Sequence, residues 1–344
     1  MGTKYAVIKT KILIQRNINA DFIKTISIFG VVFINSVPIF GELKLLGFLS
    51  DAFRFAVPCF IMLWAYFFEN SYCNKPKEQR LKYLTTRFIY LFRVFFIWSF
   101  IYFIITVEWQ TVNLKSLVTT HFLGYGWSGQ YFFIILFQLI FLYPLLRKVY
   151  AIKVLRYLTY IISILLYFNY EWYHATIPEQ ILKLGGRPFY FWLPYLLIGI
   201  GLARNDIKKI SPWFALVPFL IGIEFFILES LHLRHLVYIT LGVFVCSILF
   251  CISLLKNNRI QINQKTENLI QFIGSNTLTI FVSNPLIVII IEKIIAVNTL
   301  NEIIVSAPSW MKICIAILTV ITVFISTLAI AKLLHKSKLA KIFV

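Results

Sequence analysis

Residues 88–106 read FIYLFRVFFIWSFIYFIIT, nineteen positions with a single charge, Arg93, and Arg87 standing just before them. As a helix rising 1.5 Å per residue, such a run covers about 28 Å, close to the hydrocarbon thickness of a bilayer. Working outward, apolar runs bounded by charge or turn residues recur at 21–41, 48–68, 130–146, 150–169, 188–203, 212–228, 236–255, 268–292 and 311–334. With 88–106 they make ten candidate spans.

Composition agrees with that reading. Of 344 residues, 60% are hydrophobic, 17% aromatic and only 14% charged, with a mean hydropathy of +0.82. A soluble domain is nearer half apolar and a quarter charged, so an ordinary globular enzyme is excluded, as is a disordered chain. No repeat and no Gly/Ser-rich or Pro-rich linker divides the sequence. The expected fold is all-α: a polytopic membrane bundle of about ten transmembrane helices forming one domain over 1–344. A basic segment, 1–20, leads into it and a basic tail, 335–344, follows it.

The net charge of +19 comes from 33 Lys+Arg against 14 Asp+Glu. In a soluble protein that balance would suggest nucleic acid. Here the basic residues fall in short stretches between apolar runs, which fits the cytoplasmic face of a membrane and anionic lipids instead. Twenty-three Lys and Arg lie on one set of alternate segments or at the span ends adjoining it and five on the other, which predicts that both termini are cytoplasmic. The N-terminus has the look of a signal peptide, but Asp21 and Lys24 interrupt the apolar stretch and no small-residue cleavage pattern follows. It reads as a retained first helix.

Motifs of soluble chemistry are missing. The five cysteines show no CxxC pairing, so neither a disulfide framework nor a metal site is supported, and they read as small core residues. No P-loop, dinucleotide fingerprint or HExxH occurs. The segment Gly124-Tyr-Gly-Trp-Ser-Gly129-Gln130 is not a nucleophile elbow, because no parallel sheet exists to hold Ser128.

Polar residues inside spans carry more information, since each ionisable group there costs roughly 2.5–3.5 kcal/mol on insertion scales. Asp21 and Lys24 share a helix face and can pair; Asp51 and Arg54 repeat the arrangement. Arg87 and Arg93 suit an anionic ligand approaching from the cytoplasm, or else snorkel to lipid phosphates. Glu224 is the only carboxylate well inside its span, neutral or paired with Arg54 or Arg234. Asn35 lies about 21 Å beyond Asp21 along the helix, near the outer side. Asn35, Asn276 and Asn284 are each suited to an interhelical hydrogen bond. Trp109, Tyr125, Trp127, Trp172, Tyr173 and Trp310, in the outer segments, form an interfacial belt or line a substrate mouth.

The order of these motifs resembles the acyltransferase-3 family of polytopic bacterial membrane enzymes. Asp21-Phe-Ile-Lys24 and Val31-Val-Phe-Ile-Asn35-Ser36 are similar to the family's Asp-x-x-Arg opening and its later His-Ser. Phe55-Ala-Val-Pro58-Cys-Phe-Ile-Met62 looks like the helix-two signature, with Trp64-Ala65 in place of the usual Ser-Gly. Tyr83-Leu-Thr-Thr-Arg87, Gly129-Gln130-Tyr131-Phe-Phe with Tyr143-Pro144, Phe191-Trp-Leu-Pro194-Tyr-Leu-Leu-Ile-Gly199, and Ile273-Gly-Ser-Asn276 through Asn284-Pro285 follow in the family's order.

The resemblance, which covers roughly 18–290, implies a multi-pass protein of the bacterial inner membrane. It implies acyl-CoA, acetyl-CoA in the commonest form, as donor substrate from the cytoplasm, with no permanently bound cofactor. The implied acceptor is a surface or lipid-linked glycan on the outer side. Asp21, Lys24, Arg87, Tyr90 and Arg93 are then the donor-side set, with Lys24 replacing the family's Arg and Tyr90 standing where a second Arg would be. Trp127, Gln130, Tyr131, Asn276 and Asn284 are the acceptor-side set. Asn35 replaces the helix-one His and Asn284 a later His. A neutral amide cannot take a proton at ordinary pH, though it can orient a hydroxyl or donate to an oxyanion. The proton therefore falls to His121, with Glu108 or Glu224 behind it. Loss of both histidines also fits a second expectation: a non-catalytic relative that exports, flips or binds a glycan.

Overall fold

The computed structural model describes residues 16–40, 43–107, 123–173, 176–233, 236–297 and 306–336, with Gln110, Asn113, Val118, Thr120, Glu302, Ile304 and Phe343 besides. His121, Glu108, Trp109 and Arg234 lie outside the described residues, as do 1–15 and most of 337–344. Among the described residues there is no strand.

Helix α1 is Ile18–Ser36, opened by Asn17, whose side chain accepts from the Ala20 N–H at 3.1 Å. That is an N-cap, which satisfies a donor the helix itself leaves unpaired. α2 (Lys44–Ala52) and α3 (Ala56–Cys73) are joined by a 3₁₀ turn at Phe53–Phe55, and α4 (Lys77–Thr106) runs 30 residues. Then come α5 (Gln130–Ala151), α6 (Lys153–Trp172), α7 (Leu193–Ala203), α8 (Phe219–Ser230) and α9 (Leu241–Leu255). α10 (Gln264–Ser275), α11 (Thr277–Val297) and α12 (Ser309–Lys336) complete the order.

Each of the ten apolar runs contains helix. Six helical stretches among the described residues are long and apolar enough to cross a membrane: Ile18–Phe40, Lys44–Cys73, Lys77–Thr106, Gln130–Ala151, Thr277–Ala296 and Ser309–Lys336. α7, α8 and α9 are shorter, at 11, 12 and 15 residues, and 3₁₀ turns at Phe189–Phe191 and Pro212–Leu216 precede α7 and α8 within the same apolar runs. Several runs read as continuous are interrupted, among them two long ones. The run 48–68 passes through the 3₁₀ turn at Phe53–Phe55. The run 268–292 divides at Asn276, whose Nδ2 donates to the Phe272 carbonyl at 2.8 Å and closes α10 before α11 begins. A side chain that bonds its own backbone competes with the helical ladder, and apolarity gives no sign of it.

The outward faces of α4, α6 and α12 expose large apolar side chains, among them Phe92, Phe100, Leu165, Leu318 and Ile325. Apolar surface on that scale belongs in lipid. Inside, α3 and α7 meet most tightly at Gly199, where an added Cβ would fall 2.6 Å from that of Ala65. Asn19 fastens the start of α1 to the α9–α10 turn, donating to the Leu254, Asn257 and Asn258 carbonyls and accepting from the Ile260 N–H. Cys59, Cys246 and Cys251 are buried as expected; Cys73 and Cys314 are exposed, which corrects the uniform core reading.

Candidate functional site

At one end of the bundle Asp21 is 3% exposed and receives two cations. Arg16 pairs with it and also reaches the Gln271 carbonyl, while Lys24 Nζ stands 3.4 Å from Oδ1. Gly274 leaves room for this carboxylate, since a Cβ there would lie 2.6 Å from Asp21 Oδ1. Lys24, so tethered, sits 4.5 Å over the Phe67 ring. Asp21 and Lys24 thus pair as their spacing predicts, and so do Asp51 and Arg54 at 3.4 Å.

Lys24 edges a cavity of about 350 Å³ between α1, α3, α4, α5 and the α10–α11 junction. Arg87, Tyr83 and Tyr90 line it from α4, and Ser275 and Thr277 from either side of Asn276. Its walls are otherwise apolar, including Trp64, Phe68, Phe132, Leu136 and Phe281. Arg87 lies over the Tyr83 ring at 5.3 Å. Arg93 does not line the cavity; it is exposed, with its guanidinium 5.8 Å over Tyr90. An apolar slot with two cations and a few hydroxyls along it suits a ligand with an anionic head and a slender arm.

The cavity reaches Phe281, and Phe281 leads to the second polar cluster. Gly129 has φ +94°, and a Cβ on it would stand 2.8 Å from the Phe281 ring. Only glycine meets both the backbone and the contact requirement. The segment it ends is pinned from several sides: the Gly126 N–H donates to Gln130 Oε1 at 2.7 Å, and Gln130 Nε2 to Ser99 at 2.8 Å. Trp127 is buried, stacked on Tyr102 with centroids 5.0 Å apart. Arg187 donates to the Gly124 carbonyl at 2.9 Å from above the Tyr125 ring. Burial pulls the Arg187 guanidinium below its ordinary pKa, and Tyr125 and Tyr131 partly offset that.

This pinning presents Ser128 to Asn35. Ser128 Oγ donates to Asn35 Oδ1 at 2.8 Å, and Asn35 Nδ2 donates to Asn284 Oδ1 at 2.6 Å. Asn284, fully buried, gives its own N–H groups to the Phe281 and Ile280 carbonyls at 2.7 and 3.2 Å. Both amides are thereby oriented without ambiguity. Three separate motifs converge here, and the interhelical bond expected of Asn35 and Asn284 is made between them.

Other expected residues sit elsewhere. Glu224 accepts from Thr240 Oγ1 at 2.7 Å and from the Gly242 N–H at 2.5 Å, so it serves the start of α9. Of the partners the sequence offered, Arg54 pairs with Asp51 instead and Arg234 lies outside the described residues; the first N–H groups of α9 attract the Glu224 carboxylate as a cation would. Tyr131 is half-buried beside Tyr238, which lies beneath Arg54. Asn276 caps α10 at the Asp21 end, about 12 Å of helix from Asn284.

Sequence reading missed Glu69. It is 1% exposed, accepting from Tyr143 at 2.5 Å, Arg147 Nε at 3.0 Å and Arg204 Nε at 2.9 Å. One carboxylate therefore ties α3, α5 and the end of α7 together. The available signal was its position one residue past an apolar run, still inside the helix.

A family model described as an acyltransferase domain matches residues 17–331. Neither a curated protein nor a solved structure matches the chain.

Proposed function

The chain belongs to the acyltransferase-3 family, and on that premise we propose that it carries an acyl group, acetyl in the simplest case, from cytoplasmic acyl-CoA to a sugar hydroxyl of a surface or lipid-linked glycan. Family membership and the apolar helices make it a membrane protein for which acyl transfer is the implied chemistry. In this reading the chain crosses the bacterial inner membrane about ten times with both termini in the cytoplasm. The alternating Lys/Arg distribution supports that topology.

The donor's anionic head meets Lys24 and Arg87, with Tyr90 beside them and Arg93 one to two turns farther along α4; Asp21 holds Lys24 in place. The acceptor hydroxyl meets the Ser128–Asn35–Asn284 network, with Gln130, Trp127 and Tyr131 shaping its approach and Asn276 bracing the donor end. His121 takes the proton. Glu224, already committed to Thr240 and Gly242, shapes the outer end of α9. One observation carries the reading: the cavity begins between Lys24 and Arg87 and reaches Phe281, the ring on which Gly129 packs beside Ser128.

The test is acyl transfer by purified protein in vesicles, with labelled acetyl-CoA inside and glycan outside. Label on the glycan is expected; none, with donor and acceptor both present, overturns the enzymatic reading. The closed Asn35–Asn284 amide pair favours a second reading, a non-catalytic relative that exports, flips or binds the glycan. Deleting the gene separates the two. Exported but unacylated polymer supports the enzyme, and missing surface polymer supports transport.

A further inference from the structure

Next to the cavity lies a chain of arginines. Arg80 and Arg147 stand over Tyr72 at 5.2 and 5.4 Å, and Arg204 and Arg156 over Tyr150 at 5.0 and 4.6 Å. Glu69 links the two halves, because Arg147 and Arg204 both bond it. Tyr150 is fixed in turn by a 2.7 Å bond to Asp206. Four guanidiniums thus gather around two bonded carboxylates, leaving an excess of positive charge. The rings beneath are buried, whereas the Arg147 and Arg204 side chains keep 28% and 27% of their exposure.

Such an arrangement does more than a solvated charge run. A guanidinium seated over an aromatic face gives up little of its in-plane hydrogen bonding, so its remaining N–H groups are held ready for an oxyanion. Stability alone explains Glu69 with one arginine; it does not explain a second tyrosine carrying two more. The group also has a fixed place relative to the cavity. Tyr72 packs on Tyr83 with centroids 6.4 Å apart, and Tyr83 lines the cavity beneath Arg87. The arginine platform therefore starts one ring beyond the cavity wall.

Resting on the acyl-CoA reading, we infer that Arg80, Arg147, Arg156 and Arg204 form a phosphate site for the nucleotide end of the thioester donor. The cavity walls are mostly apolar, which fits the pantetheine arm rather than a phosphorylated nucleoside. The nucleoside then rests outside, and this platform is the adjoining surface with the matching charge. Lipid headgroups offer the same phosphate chemistry, so the test must part the two sources.

The experiment uses the full chain in nanodiscs, with and without phosphatidylglycerol, titrated with coenzyme A and with 4′-phosphopantetheine, which lacks the nucleotide. The variant is Arg80→Gln with Arg156→Gln; neither side chain bonds Glu69, so the interhelical tie stays whole. The wild type is expected to prefer coenzyme A, and the double variant to lose about tenfold in that affinity, as for one or two charge-assisted bonds. Its phosphopantetheine affinity should be unchanged, which also reports an intact fold. Equal wild-type affinity for the two ligands, or no loss in the variant, overturns the site while leaving the donor reading standing. A preference that phosphatidylglycerol abolishes assigns the platform to lipid and overturns it as well. If the wild type binds neither ligand, the acyl-CoA reading falls and takes this site with it.

Discussion

Asn35 has one amide N–H spent on Asn284 and its carbonyl oxygen spent on Ser128, which leaves a single N–H to meet a substrate. An amide so fixed can stabilise developing negative charge but not collect a proton. Replacing Asn35 with Ala should therefore lower the turnover of acyl transfer by roughly 10²–10³-fold while leaving donor binding intact, as loss of one oxyanion donor does elsewhere. Turnover and donor affinity measured separately will show whether the loss lies where expected. Glu69 makes the contrasting case. Its carboxylate is buried and its two arginines half-buried, so Glu69→Ala strands both cations and should cost about 3 kcal/mol, the low end for a broken buried pair. A lowered thermal midpoint in detergent is the readout, with Glu69→Gln falling in between.

Among the elements, α3 and α7 depend on Gly199 and the site loop on Gly129. Gly199→Val would drive a branched side chain into Ala65 and the Met62 carbonyl, and overpacking of that kind costs typically 1–3 kcal/mol. Gly129→Ala meets both a left-handed φ and the Phe281 ring, so Ser128 should swing from Asn35 and activity should fall with little change in melting. The helices themselves were legible, because apolarity over about twenty residues is a local property. Their interruptions were not. Asn276 ends α10 through its own side chain, and a hydropathy average passes over it. The paired amides are 249 positions apart in sequence, so each could be suspected alone while their bond could not be read. Glu69 escaped because its apolar run closes at Phe68, one position too early to mark it as intramembrane.

For the molecule as a whole, orientation is the property from which donor and acceptor sides follow, and native cysteines can report it. Cys73 is exposed at the end of α3, beside Glu69 and Arg147. The alternating charge distribution predicts that this end is cytoplasmic. Cys59, Cys246 and Cys251 are buried, and Cys314 can be changed to Ser on the exposed surface of α12. A membrane-impermeant maleimide should then label one cysteine per chain in inside-out vesicles and none in intact cells. Labelling from outside would invert the bundle, moving Lys24, Arg87 and the cavity mouth away from the only compartment that holds coenzyme A. A cytoplasmic Cys73 instead puts the whole basic end, Asp21 through the arginine platform, on the side where an anionic thioester is made.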